Sequence, residues 1–131
     1  MRKKIVAKLD KIFSEFIRLR YADNNGNAEC VTCGKVDNWK KLQCGHFQSR
    51  KHYSTRWHED NCQVQCSGCN VFKYGEQYKF GLYLNAKYGE GYAEDLLILS
   101  KQILKISNTE LVEMIENYEN KVQKIRLKKK L

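Results

Sequence analysis

Residues 30–33 read Cys-Val-Thr-Cys and residues 66–69 read Cys-Ser-Gly-Cys, so the chain carries two Cys-x-x-Cys pairs. Two-residue spacing lets both sulfurs of a pair point at one centre, and two pairs complete a tetrahedral shell of four thiolates. One pair alone would leave a redox dithiol or an iron–sulfur ligand open, but two pairs favour zinc. The pattern therefore predicts one structural Zn²⁺ per chain, held by Cys30, Cys33, Cys66 and Cys69.

The segment that contains these pairs, residues 28–75, is too rich in Gly, Cys and charged residues to build a conventional apolar core. A zinc ion would replace that core, because structural zinc contributes folding energy directly. A closed shell of four cysteines leaves no position for water or substrate, so catalysis must come from other residues. Cys44 and Cys62 are left over, and we expect buried free thiols there; a substitute ligand role is the alternative.

Three polar residues are spaced around the cysteine pairs. Residues 43–47, Gln-Cys-Gly-His-Phe, read as a short strand that carries His46; Asn61 precedes the second pair by five residues, and Asn70 directly follows it. A neutral imidazole with a pKa near ~6.5 can accept a proton from water at physiological pH, and an amide oxygen suits a hard cation. His46 is thus a candidate general base and Asn70 a candidate cation ligand. A structural histidine or a zinc ligand is the alternative for His46.

The order His, then Asn-x-x-x-x-Cys-x-x-Cys, then Asn resembles the HNH nucleases, whose pattern ends in His or Asn. Residues 61–70 match that register with Asn in the last place, as in the phage recombination endonuclease VII group. Residues 44–50, 55–57 and 61–70 are most similar to the phage NinG/Rap recombination-protein family. This resemblance implies an α+β fold with a small ββα-metal (HNH-type) core stapled by the four-cysteine zinc, flanked by an N-terminal helix and a C-terminal helical region.

The resemblance also implies a function. It predicts a metal-dependent endonuclease that hydrolyses phosphodiester bonds of branched recombination intermediates, as a Holliday junction resolvase does, using Mg²⁺ or Mn²⁺ in addition to Zn²⁺. The alternatives are an HNH nicking or non-specific nuclease and a non-catalytic zinc-containing DNA-binding module. The expected catalytic residues are His46 as base, Asn70 as ligand of the catalytic cation, Asn61 as brace of the loop between the strands, and Arg50 as a phosphate contact.

One position departs from many HNH relatives, which carry Asp directly before the histidine as a second metal ligand. Here that position is Gly45. Either Asn70 is the only protein ligand of the catalytic cation, or a nearby acid such as Asp60 or Glu59 completes its shell.

The charge of the chain favours a nucleic-acid partner. There are 24 Lys and Arg against 15 Asp and Glu, a formal net charge of +9. This excess attracts polyanions, and branched DNA would be recognised by its shape and backbone phosphates rather than by its bases. A basic surface with no polyanion partner is the alternative. The candidate DNA contacts are Lys40, Lys41, Arg50, Lys51, Arg56 and Lys73.

Residues 1–21 and 76–131 show the apolar periodicity of helices on either side of the core, so the whole of 1–131 reads as a single domain. Ser107 and Glu110 predict a capping box before the last helix. We expect the first and last helices to pack against each other within one chain rather than to form a dimer interface. A homodimer is still the expected assembly on DNA, because paired nicks in a four-way junction are related by symmetry. The expected apolar stripes are Ile5, Leu9, Ile12, Phe16 and Leu19; Phe80, Leu84 and Tyr88; Leu96, Leu99, Ile103 and Ile106 within 92–106; and Leu111, Ile115, Tyr118, Val122 and Ile125.

No apolar run approaches the roughly 18–20 residues that span a bilayer, so no membrane partner is expected. The basic N-terminus is followed by further charged residues rather than by the apolar region of a signal peptide. We therefore expect a cytoplasmic protein of a bacterial host cell, with a phage or prophage origin implied by the resemblance. In that reducing compartment the 6 cysteines favour a metal site over disulfides.

Overall fold

The computed structural model describes residues 1–131, with helices at both ends of the chain and two small antiparallel sheets between them. This confirms the mixed α+β class and the flanking helices. None of the helices combines the length and the apolar character that a bilayer span requires. The elements are α1 (Arg2–Arg20), β1 (Asn27–Glu29), β2 (Val36–Asn38), β3 (Gln43–His46), α2 (Tyr53–Arg56), β4 (Cys62–Gln65), a π-helical turn (Gly68–Phe72), α3 (Gln77–Tyr88), α4 (Tyr92–Ser100) and α5 (Asn108–Lys129).

Helices α1 and α5 pack against each other along their apolar faces. The main core also includes Trp39, Leu42, Trp57 and Val64, so the expectation that residues 28–75 build no apolar core is wrong. The rings of Phe13 and Tyr118 meet edge-on with centroids 5.0 Å apart, and the Phe16 ring lies 5.2 Å from the same tyrosine. The expected packing of the apolar stripes of α1 and α5 against each other is thus confirmed. Helix α1 buries a wider face than its predicted apolar stripe, because it also packs on the β3–β4 sheet. Phe13 and Ile17, outside the predicted stripe, are fully buried, whereas Ile12 within it is only half-buried.

The predicted capping box at the start of α5 is confirmed. The Glu110 N–H donates to Ser107 Oγ over 3.1 Å, and the Ser107 N–H donates to Glu110 Oε1 over 3.4 Å. Two otherwise orphaned backbone donors are satisfied in this way, which fixes where the helix begins.

Helices α3 and α4 form a second, smaller core around Phe80, Leu84 and Leu96. The stripe expected over residues 92–106 is too long, because α4 ends at Ser100 and the side chain of Ile103 is 91% exposed. One reason is a contact distant in sequence: Ser54 Oγ donates to the carbonyl oxygen of Leu99 over 2.8 Å and so satisfies an acceptor at the helix end.

Strands β3 and β4 carry most of the residues singled out by the sequence. His46 lies opposite Cys62, and Cys44 lies opposite Val64. Because side chains alternate between the two faces of a strand, Cys44, His46 and Cys62 share one face of this sheet. The four residues of β4 are all buried, so the sheet is enclosed by its neighbours.

The α-helix of the ββα core, which the resemblance implies after the second cysteine pair, is replaced by a shorter feature. Asn70 lies inside the π-helical turn rather than at the start of an α-helix, and α3 begins only at Gln77. Between them Tyr74 and Glu76 adopt left-handed backbone conformations, with φ of 53° and 50°. Non-glycine residues in that region interrupt a helix, which separates the Asn70 turn from α3.

Candidate metal centre and candidate active site

The four cysteines of the two Cys-x-x-Cys pairs converge. Their sulfur atoms all lie within 4.8 Å of one another, and Cys33 Sγ is 3.6 Å from Cys66 Sγ. Tetrahedral zinc with Zn–S bonds of ~2.3 Å places its sulfurs about 3.8 Å apart, so the spacing fits. No disulfide joins any of the cysteines. The cluster could therefore bind a metal ion such as zinc.

The local environment favours the thiolate form at Cys30, whereas burial and the neighbouring thiols raise the pKa of Cys33 and burial raises that of Cys69. Gly34 turns the chain after the first pair with φ of 81°, and its N–H donates to the Cys30 carbonyl over 2.9 Å. Burial alone would raise the pKa of the Cys30 thiol, but hydrogen bonds from the Thr32 hydroxyl and from backbone N–H groups outweigh it and lower the pKa to about 6. A thiolate is the form that binds metal, so the environment of Cys30 favours a ligand at that position.

A polar cleft of about 610 Å³ opens between helix α1, strand β3 and the turn that carries Asn70. It brings together three of the residues singled out by the sequence, His46, Arg50 and Asn70. Asn61 does not line it. The lining also includes side chains that the sequence did not point to, among them Asp10, Arg18 and Gln43.

His46 presents one free nitrogen. Its Nε2 atom lies 3.1 Å from the carbonyl oxygen of Arg56, and because a carbonyl only accepts, Nε2 carries the ring proton. The lone pair therefore sits on Nδ1. Burial lowers the pKa of His46 to about 4, and the positive charge of Arg50 acts in the same direction. The imidazole is neutral at physiological pH.

Asn61 is buried and makes the contacts expected of a brace. Its Oδ1 accepts from the Gln48 N–H over 2.8 Å, and its Nδ2 donates to the carbonyls of Gln48 (3.2 Å) and Thr55 (3.1 Å). These bonds tie both ends of the loop between β3 and β4. The same loop supplies the Arg56 carbonyl that holds His46, so Asn61 fixes the ring indirectly.

Asn70 also has one polar atom to spare. Its Nδ2 donates to Gln43 Oε1 over 2.8 Å, which orients the amide and leaves Oδ1 without a hydrogen-bond donor in the chain. An amide oxygen fixed in this way is a suitable ligand for a hard cation.

The only acidic side chain that lines the cleft is Asp10, on helix α1. It pairs with the Arg56 guanidinium, and its Oδ1 accepts from Trp57 Nε1 over 2.9 Å. The sequence analysis did not identify Asp10, because it lies far before the motif. Its only sequence signal is an acidic residue next to Leu9, a member of the predicted apolar stripe.

Asp60 and Glu59, the two acids considered in place of an aspartate at position 45, lie outside the cleft. Asp60 accepts from the Tyr92 hydroxyl over 2.6 Å, and Glu59 accepts from Tyr118 (2.8 Å) and Lys121 (3.2 Å). The structure thus offers no support for either as a ligand there.

Gly45 itself is enforced by packing. A Cβ at that position would collide with the side chain of Gln65, whose amide donates to Thr32 Oγ1 and to the Gly75 carbonyl. Any larger residue would displace Gln65 from the bonds that hold the cysteine loops. An aspartate therefore does not fit at residue 45 in this chain.

Most of the candidate DNA contacts lie on the surface, but Arg56 does not fit that role. Its side chain is only 16% exposed and is held by Asp10, so it is a structural partner of the loop rather than a free cation. Arg50 remains exposed at the cleft. The other exposed candidates are Lys40, Lys41, Lys51 and Lys73.

Comparison with known proteins identifies the family. The family model described as Bacteriophage Lambda NinG protein matches residues 1–129, so the chain belongs to that family. No curated protein matches the chain. No solved structure matches it either.

Proposed function

We propose that the chain is a metal-dependent DNA endonuclease of the HNH type that hydrolyses phosphodiester bonds in branched recombination intermediates. The observation that carries this proposal is the cleft where His46, Asn70, Arg50 and Asp10 meet beside the four-cysteine cluster. In this proposal the β3–β4 hairpin and the Asn70 turn are the counterpart of the ββα-metal core, and the cysteines hold Zn²⁺. Membership of the NinG family supports a phage setting.

His46 is the general base. Its Nδ1 lone pair accepts the proton of the water that attacks phosphorus, while the Nε2–H bond to Arg56 fixes the ring. An imidazole with a pKa of about 4 is a weak base, but it is neutral at physiological pH, so its lone pair is available to the attacking water.

Asn70 Oδ1 and the Asp10 carboxylate are the oxygen ligands that the cleft offers to a catalytic cation. A bound Mg²⁺ or Mn²⁺ would neutralise the negative charge of the phosphate and the charge that develops on the leaving 3′ oxygen. Arg50, exposed at the same cleft, contacts a phosphate oxygen by a charge-assisted hydrogen bond. Asn61 acts through the loop and is a positioning residue.

Branched DNA is the proposed substrate because the chain belongs to the NinG family, and its net charge of +9 is compatible with binding a DNA backbone. The exposed lysines contact backbone phosphates without reading bases, and two symmetric nicks in a junction are produced most simply by a homodimer. A nicking or non-specific nuclease with the same core is the second candidate, favoured by the open, polar cleft.

The test is cleavage of a labelled four-way junction, a linear duplex of the same sequence and a supercoiled plasmid, each with Mg²⁺. We expect cuts near the branch point and at least about 10-fold slower cutting of the duplex. Equal rates on all three substrates would favour the non-specific nuclease. Junction binding by the wild-type protein without cleavage in Mg²⁺ or Mn²⁺ would instead indicate a non-catalytic DNA-binding module.

A further inference from the structure

A second group of metal-ligating side chains lies outside the four-cysteine cluster. The candidate ligand atoms of Cys44, His46 and Cys62 all lie within 4.8 Å of one another. Strand geometry explains this convergence, because Cys44 and His46 are two residues apart on β3 and Cys62 lies directly opposite His46 on β4. Two thiols and an imidazole form a ligand set that suits zinc and related cations.

The group is reachable from solvent on one side only. Cys44 is half-buried and lines the cleft, whereas Cys62 is fully buried. The Cys62 thiol makes two weak contacts, to the Arg56 carbonyl oxygen at 3.5 Å and from Asn61 Nδ2 at 3.9 Å, so it has no strong partner to give up. A cation entering the cleft would meet Cys44 and His46 first and Cys62 behind them.

We propose that Cys44, His46 and Cys62 form a second site for a thiophilic dication such as Zn²⁺, separate from the four-cysteine centre and inhibitory when occupied. Binding breaks two S–H bonds and forms two metal–sulfur bonds, and the two protons pass to solvent. Two thiolates then neutralise the dication. The complex is uncharged, so it does not repel the positive charge of the neighbouring Arg20, whose guanidinium donates to the Cys62 carbonyl over 2.7 Å.

Inhibition follows from the proton count on the imidazole, and this consequence rests on the proposed function. Neutral His46 has a single lone pair, now on Nδ1. If the cation binds Nδ1, it takes that lone pair directly. If the cation binds Nε2, the ring proton must move to Nδ1 and occupies the lone pair there. In both cases His46 can no longer accept a proton from water.

The site is tested by cobalt titration of the full chain already loaded with one zinc, in degassed buffer from which the reductant has been removed. We expect a second equivalent of Co²⁺ to bind with thiolate-to-cobalt charge-transfer absorption while zinc content stays at one per chain. Cys44→Ser and His46→Ala should weaken that binding by at least about 100-fold, because loss of a ligand exceeds the 10–100-fold effect of an outer partner. The matched control His52→Ala should bind as wild type does.

A wild-type titration that shows no second equivalent, or one that Cys44→Ser leaves unchanged, would overturn the site. Inhibition is read separately, as the Zn²⁺ concentration that halves junction cleavage in excess Mg²⁺, which should rise at least about 10-fold in Cys44→Ser. If cobalt binds but the wild-type protein never cuts DNA, the proposed function is wrong and the metal site stands. If the protein cuts DNA but takes up no second cation, the proposed function stands and the second metal site is wrong.

Discussion

At the scale of single residues, the cleft is defined by which polar atoms are already engaged. His46 keeps Nδ1 free because the Arg56 carbonyl holds Nε2, and Asn70 keeps Oδ1 free because Gln43 holds its amide nitrogen. Each side chain is therefore oriented by one bond and available through its other polar atom. Asp10 adds the single negative charge, and its contact with Arg56 links helix α1 to the loop that positions His46.

The role of Asp10 as a cation ligand leads to the first prediction. Asp10→Asn keeps the size and an acceptor for Trp57 but removes the charge, so Mn²⁺ affinity of the zinc-loaded protein should fall at least about 10-fold. Calorimetric titration with Mn²⁺ measures it. Asp60→Asn, outside the cleft, is the control and should change nothing. Unaltered Mn²⁺ binding by Asp10→Asn would restrict Asp10 to its contacts with Arg56 and Trp57.

The pKa of His46 leads to the second prediction. In the folded protein it is lowered to about 4, whereas the unfolded chain titrates near ~6.5, so between these values the unfolded state binds more protons. The free energy of unfolding is therefore fully retained above pH ~6.5 and falls by up to about 3 kcal/mol as the pH drops to about 4. Urea unfolding of wild type and His46→Gln measures it. An equal pH dependence in both proteins would show that His46 is not buried in its neutral form.

The candidate site could be predicted from the sequence only where its residues belong to one motif. His46, Asn61 and Asn70 are set by their spacing from the cysteines, and each has contacts that suit its expected role. Asp10 and the engagement of Arg56 could not be predicted, because they depend on how a helix from the start of the chain packs on the β3–β4 sheet. The reason for Gly45, its collision with Gln65, is likewise a tertiary contact.

At the scale of elements, what could be predicted is what local chemistry decides. The stripes of α1 and α5 follow from helical periodicity, and the start of α5 follows from its capping box. The end of α4 at Ser100 could not be predicted, because the apolar period continues beyond it and Ser54 from another element satisfies its last turn. The π-helical turn around Asn70 has no periodic signal at all, since it spans five residues.

The capping box gives the third prediction. Ser107→Ala leaves the Glu110 N–H without its acceptor, and the free energy of unfolding should fall by about 1 kcal/mol. Urea denaturation followed by circular dichroism measures the change. Thr109→Ala lies in the same exposed first turn without capping it and should stay within about 0.5 kcal/mol of wild type. A similar loss in both variants would place the effect in helix propensity rather than in the cap.

At the scale of the whole molecule, one apolar core runs through α1, α5 and residues 28–75, and the cysteine cluster adds a second source of stability within residues 28–75. The α1–α5 pair is held by buried apolar side chains such as Leu9, Phe13 and Leu111. Residues 28–75 have short strands, and their cysteine loops converge on one cluster of sulfurs. The cleft lies between these regions, since Asp10 comes from α1 and Asn70 follows Cys69. Its geometry therefore depends on both.

The contribution of the cysteine cluster gives the fourth prediction, on metal removal. Stripping zinc with a strong chelator should leave most of the helical circular dichroism, because α1 and α5 retain their apolar contacts. Amide hydrogen exchange in residues 28–75 should rise at least about 10-fold, and cation binding in the cleft should be lost. Restoring one equivalent of Zn²⁺ should reverse both. Unchanged exchange in residues 28–75 after zinc removal would show that the cysteine cluster does not stabilise this region.

The most direct test of the proposed active site compares single-turnover cleavage of a four-way junction by wild type, His46→Ala and Asn70→Ala, on samples whose zinc content is measured. If the cleft is the active site, both variants should hold one zinc per chain, bind the junction as wild type does and cut it at least about 100-fold more slowly with Mg²⁺. Cleavage at the wild-type rate by either zinc-loaded variant would contradict the assignment of these residues as base and cation ligand.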